Sequence, residues 1–259
     1  YSDSLTCTRW TLETVSSPPK GTFLYNTSTG TAVSSSQEYV APDETRTLSM
    51  FQLAPTFYSG ETINQQFYWY GNNSSVATVD ETTGAVTGVS PGTALITGLM
   101  DLDGYFYYVR YTVVVTEIAN GTYFLQNKQT GCYADIQGPV MANGTTIHQW
   151  EYHGGDWQKW IFTHVGDGYY SIKSKNSSTP YYLGVKNDYG TLDADIVLRS
   201  GPLTNGMKWA IEKTTSGSYK LIPTVGLIQD YVLATSTSNT GNGFKLIHGD
   251  YVENNSYRD

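Results

Sequence analysis

Gln158-Lys-Trp-Ile-Phe-Thr-His-Val-Gly-Asp-Gly-Tyr-Tyr-Ser-Ile172 decides the fold, because both of its ends recur elsewhere in the chain. The leading Gln158-Lys159-Trp160 returns as Met207-Lys208-Trp209, 49 residues on. The trailing Gly168-Tyr-Tyr-Ser-Ile172 is preceded by Gly121-Thr-Tyr-Phe-Leu125 and followed by Gly217-Ser-Tyr-Lys-Leu221, at spacings of 47 and 49. Ten residues before the two tryptophans stand Trp150 and Arg199. By the same count Phe244-Lys-Leu-Ile247 takes the place of Ile147-His-Gln-Trp150, and Tyr257 takes that of the third central aromatic. A unit of this length cannot bury a core alone, so three copies predict a closed pseudo-threefold body.

Working outward, no stretch of a dozen residues keeps a helical apolar period, whereas period-two alternation is common and broken by turns every 8–12 residues. That is the pattern of an all-β chain. In Tyr105-Phe-Tyr-Tyr-Val-Arg-Tyr-Thr-Val-Val-Val115 every odd position is apolar, so one face packs on a core. Phe67-Tyr-Trp-Tyr70 supplies an aromatic core anchor in Trp69, and Glu81-Thr-Thr-Gly84 is a tight hairpin connection. Residues 1–36 are the least regular, with Ser16-Ser-Pro-Pro-Lys-Gly21 as a clear break.

Trp69-Tyr-Gly-Asn-Asn-Ser-Ser-Val-Ala-Thr-Val-Asp80, followed by Thr83-Gly-Ala-Val-Thr-Gly-Val-Ser-Pro-Gly-Thr-Ala-Leu-Ile-Thr97, resembles the second group of bacterial immunoglobulin-like domains. The resemblance implies a β-sandwich over residues 37–116, used in that family as a spacer on secreted and surface proteins. The threefold repeat, with its Gln158-Lys159-Trp160 tripeptide, resembles the ricin-type β-trefoil lectins over residues 117–259. The expected architecture is therefore all-β: an uncertain strand-like segment 1–36, an immunoglobulin-like β-sandwich, then a ricin-type β-trefoil.

A neutral sugar offers hydroxyls and one patch of C–H bonds, so it needs an acidic acceptor beside an aromatic face. The trefoil resemblance places these at Asp135 and, fifteen residues later, Trp150, with His148, Tyr152 and Gln158 at positions that complete the pocket. The family often has Asn before the Gln, where this chain has Trp157. The second copy has Gly184, Arg199 and Met207 at the matching places, and the third has Ala234 and Ile247, so two of three pockets are expected to be closed or repurposed. The alternative for the first copy is that Trp150 is ordinary packing and Asp135 a turn acceptor.

Other chemistries find little support. A net charge of −8 with no basic run argues against nucleic acid and anionic membranes as partners. No apolar run reaches the roughly 18 residues that span a bilayer. No Ser-, Cys- or metal-based catalytic motif is present, so no catalytic residue, metal or cofactor is expected. His148 and His153 read as solvent-facing imidazoles and Asp101-Leu-Asp103-Gly104 as a turn. Cys7 and Cys132 are either two buried thiols or one long-range disulfide. The chain starts at Tyr1, and Arg9-Trp-Thr-Leu-Glu13 resembles Lys208-Trp-Ala-Ile-Glu212, so either a parent protein continues past Asp259 or the N-terminal segment closes a trefoil. The function expected is a non-catalytic glycan- or polysaccharide-binding module of a larger secreted or cell-surface bacterial protein with further domains. The alternative is a structural or docking region of a secreted hydrolase or peptidase.

Overall fold

The computed structural model describes residues 24–26, 31–33, 36–48, 65–102, 105–225, 231–236 and 241–250. Cys7, Trp10, Asp103, Gly104 and Tyr257 lie outside them, and with them the cysteine pairing, the 101–104 turn and both readings of the chain ends. The chain divides into two compact units, Tyr1–Thr116 and Glu117–Asp259. Among the described residues no helix is long and apolar enough to cross a membrane.

In the first unit β1 (Leu24–Asn26) pairs with β2 (Thr31–Val33). One sheet runs β3 (Ser36–Val40), β9 (Tyr105–Val115), β8 (Gly92–Leu102), β5 (Gln65–Gly71), with β3 parallel to β9. A second joins β4 (Thr45–Thr47), β7 (Ala85–Gly88) and β6 (Ala77–Val79). This is a β-sandwich, and the alternation of β9 sets its inner face: Val109, Tyr111, Val113 and Val115 are buried with Trp69, Val86 and Ile96. Trp69 needs two glycines around it. A Cβ on Gly98 would lie 2.7 Å from its ring and one on Gly84 2.5 Å, and Gly84 also has φ of 70°. The β6–β7 turn is held by Asp80, whose Oδ1 accepts from the amides and hydroxyls of Thr82 and Thr83. Those bonds, the Thr83 amide first, hold its carboxyl far below the usual carboxylate range.

The second unit is a β-trefoil. Its barrel strands are β10 (Gly121–Phe124), β13 (Lys159–His164), β14 (Tyr169–Ser174), β17 (Lys208–Lys213) and β18 (Tyr219–Pro223), paired in that order. Three hairpins cap it: β11 (Tyr133–Ile136) with β12 (Ile147–Trp150), β15 (Tyr182–Val185) with β16 (Ile196–Arg199), and β19 (Tyr231–Thr235) with β20 (Leu246–Asp250). Trp160 and Trp209 are wholly buried, and each indole N–H donates to its copy's hairpin, to the Ala134 carbonyl (3.1 Å) and the Leu183 carbonyl (3.0 Å). A buried indole that finds its acceptor adds packing without an unpaired donor.

A belt of backbone bonds closes the three hairpins on one another. The amides of Gln149, Leu198 and His248 donate to the carbonyls of Phe244, Thr145 and Ala194, so each copy leans on another and the circle closes. The carbonyls of the same three residues accept from Gly243, Gly144 and Asp193, all with positive φ (87°, 91° and 63°). This corrects the third copy. The belt makes Ile247 equivalent to His148 and Val197, and Gly249 equivalent to Trp150 and Arg199, a shift of two from the sequence count. The count compared short apolar runs, whereas pairing is set by backbone bonds across the hairpins. Ala234 keeps its place, since it pairs with Ile247 as Asp135 pairs with His148.

Candidate functional site

Asp135 lies inside β11 opposite His148, and Tyr133 lies opposite Trp150. Side chains two apart on a strand share a face. One face of the first hairpin therefore presents Tyr133, Asp135, His148 and Trp150, while Ala134, Ile136, Ile147 and Gln149 take the other. Asp135 is a strand residue and not a turn acceptor.

Its carboxylate is only 6% exposed and is gripped from two sides. His153 Nε2 lies 2.6 Å from Oδ2, and His148 Nε2 lies 3.4 Å from Oδ1. Burial pushes the carboxyl up, but the hydrogen bonds and charge of the two imidazoles outweigh it and hold the group below the usual carboxylate range. Asp135 is thus an ionised, oriented acceptor at neutral pH. Trp150 stacks on the buried His148 ring, centroids 5.2 Å apart and planes at 27°, and stays 36% exposed.

The five residues expected from sequence separate here. Asp135, His148 and Trp150 come together on the hairpin face. Tyr152 is 58% exposed beside them, in a ring cluster with Tyr133 (5.1 Å) and Phe124 (5.4 Å). Gln158 is wholly buried and turned to backbone: its Nε2 donates to the Glu151 carbonyl (2.8 Å) and its Oε1 accepts from the His153 amide (3.0 Å). It braces the loop from Glu151 to His153 and presents no polar atom of its own to a ligand.

Of the two histidines that the sequence suggests are solvent-facing, His153 is exposed and His148 is not. His148 is buried, and His153 folds back onto Asp135 from outside the hairpin. The signal for this was Gly154-Gly155 just after it. Gly154 has φ of 69°, and a Cβ on Gly155 would come within 2.9 Å of the His153 ring. Among the described residues no group of three or more His, Cys, Asp or Glu side chains could hold a metal ion.

The other two copies lack this chemistry. In the second, Gly184 replaces the acid, and the Arg199 side chain lies across it, donating to the Val185 carbonyl (2.9 Å) and pairing with Asp188. A Cβ on Gly184 would meet Arg199 Cδ at 2.9 Å and the Gly206 carbonyl at 3.0 Å. Asp188 also accepts from the Thr204 hydroxyl and the Gly206 amide. Although burial pushes its carboxyl up, these partners hold it below the usual range. In the third copy Ala234 faces a buried Ile247.

Comparison with known proteins follows the same division. The family model described as ricin-type beta-trefoil lectin domain-like matches residues 109–199 and 157–247, together more than half of the 259-residue chain. The model of the group 2 bacterial Ig-like domain matches residues 27–103. Flavastacin of Elizabethkingia meningoseptica is 34% identical over 97 residues, which cover 37% of this chain and 22% of that protein, so the match spans about a fifth of that relative. Among solved structures, the designed three-fold symmetric protein ThreeFoil is 25% identical with a TM-score of 0.48, covering 53% of this chain and 94% of its own. The Rhizoctonia solani agglutinin is 24% identical with a TM-score of 0.45, covering 52% and 89%.

Proposed function

The chain belongs to the ricin-type β-trefoil lectin-like family, with a group 2 bacterial immunoglobulin-like domain before the trefoil, and from that premise we propose that it is a non-catalytic carbohydrate-binding module with one sugar site, in the first trefoil copy. The observation that carries this is the face of the first hairpin that an ionised Asp135 and a part-exposed Trp150 share, diagonal to each other in successive cross-strand pairs of that face. The carboxylate accepts two hydroxyls of a neutral sugar and the indole takes its C–H face. Tyr152 borders the same face, His148 orients the acid, and Gln158 serves by holding the loop. The partners are glycans or polysaccharide. Neither nucleic acid nor membrane insertion has a place in this reading, and the parent is a secreted or cell-surface bacterial protein with further domains. One shallow site gives affinity on the order of millimolar, about 4 kcal/mol, so retention on a surface depends on multivalency.

A glycan array on the full chain tests it. Asp135→Asn and Trp150→Ala each lose retention while the chain stays folded, and Arg199→Gln keeps it. Wild-type retention in both of the first two variants would sink the site assignment. A second reading, an accessory region of a secreted hydrolase or peptidase, draws on the two copies without an acid. Loss of all glycan retention in the wild-type chain favours it.

A further inference from the structure

We propose that His153 is the positioning residue for Asp135, locked in one tautomer by its own loop, and that this hold readies the carboxylate for the sugar. The inference rests on the reading of Asp135 and Trp150 as the sugar site. The lock is visible in the hydrogen bonds. The Gly155 amide donates to His153 Nδ1 (3.1 Å), which makes that nitrogen an acceptor and puts the proton of the neutral ring on Nε2. Nε2–H then donates to Asp135 Oδ2 at 2.6 Å. The loop is fixed in turn by Gln158, which accepts from the His153 amide and donates to the Glu151 carbonyl. The family's signature glutamine therefore reaches the site through His153.

A carboxylate has about four lone-pair positions. His148 and His153 address one oxygen each, which leaves one position on each oxygen for neighbouring hydroxyls of a pyranose. An acceptor already oriented loses little freedom when the ligand arrives. Without the His153 ring, Asp135 keeps only the longer contact from His148 at 3.4 Å, and its Oδ2 is no longer held toward the hairpin face.

Three free neutral disaccharides, lactose, cellobiose and N,N′-diacetylchitobiose, are titrated against the full chain at pH 7.5, and the wild type binds at least one of them. His153→Ala weakens binding about tenfold, the scale of a lost hydrogen bond to a charged group. His153→Gln, which restores a neutral donor, recovers affinity to within about threefold. A His153→Ala variant with wild-type affinity, or a His153→Gln variant no better than His153→Ala, overturns the inference while the site stands. Asp135→Asn binding as well as wild type, or no disaccharide held by wild type, overturns the site and the inference together.

Discussion

The first and second hairpins of the trefoil share a backbone and one tyrosine, and differ in the rest of what they present. Tyr133 pairs with Trp150 as Tyr182 pairs with Arg199, and Ala134 receives the Trp160 indole as Leu183 receives that of Trp209. Yet one face carries an acid between two imidazoles beside an indole, and the other is covered by an arginine clasped to Asp188. The difference turns on one Cβ. Without a side chain, Gly184 admits the Arg199 stem, whereas Asp135 fills the same place with its carboxylate. The indole anchor and the belt belong to the fold, while the outer face of each hairpin varies independently.

The comparison breaks most sharply at what the two copies share. Trp209→Ala and Trp160→Ala should each cost about 3–5 kcal/mol in urea unfolding, as expected for a buried aromatic. Costs differing by more than about 2 kcal/mol would show that the copies do not bear equal weight. At the point where they differ, Gly184→Asp should cost about 1–3 kcal/mol, because the new side chain meets the Gly206 carbonyl and the Arg199 stem. It should gain no glycan retention. A stable, sugar-binding Gly184→Asp chain would mean that the second pocket was open all along.

The smallest effect lies in the clasp. Asp188 has its folded pKa lowered, so its contribution is present above the unfolded value of about 3.9 and is lost as pH falls through the folded one. Asp188→Asn should cost about 1 kcal/mol at pH 7 and flatten the loss of stability between pH 4 and pH 2. Melting curves at pH 7 and pH 3 would check it, and equal slopes for both chains would sharpen the comparison against the clasp.

Where residue type alone decides an element, it was legible in the chain. The indoles of Trp160 and Trp209 at a spacing of 49, and the odd-position apolar run ending at Val115, lead directly to the barrel and the sandwich. The third hairpin was misread by two residues because Phe244-Lys-Leu-Ile247 looks like a strand in several registers. Its better marker was the left-handed position, Gly144, Asp193 and Gly243, which only the belt explains. At the candidate site, Asp135 and Trp150 could be named because the trefoil resemblance implies an acid and an aromatic at those places, and both lie on one hairpin face. His153 could not, because it lies 18 residues from the acid that it holds, and a loop fold alone brings them together. Gln158 was legible as a signature, but its work is done on backbone atoms that no residue type reveals.

The belt also orders events in time. The Gln149 amide, on the hairpin that carries Asp135, has its partner in the carbonyl of Phe244, and the Gln149 carbonyl accepts from Gly243. At 5–20 residues per second, a ribosome needs about 5–20 s to travel from one to the other. Through that interval the first hairpin exists with its inner edge unsealed, a template for stray strand pairing. The copy with the candidate site is thus the first of the three made and among the last closed. Chaperone capture or aggregation of nascent chains should concentrate in that window.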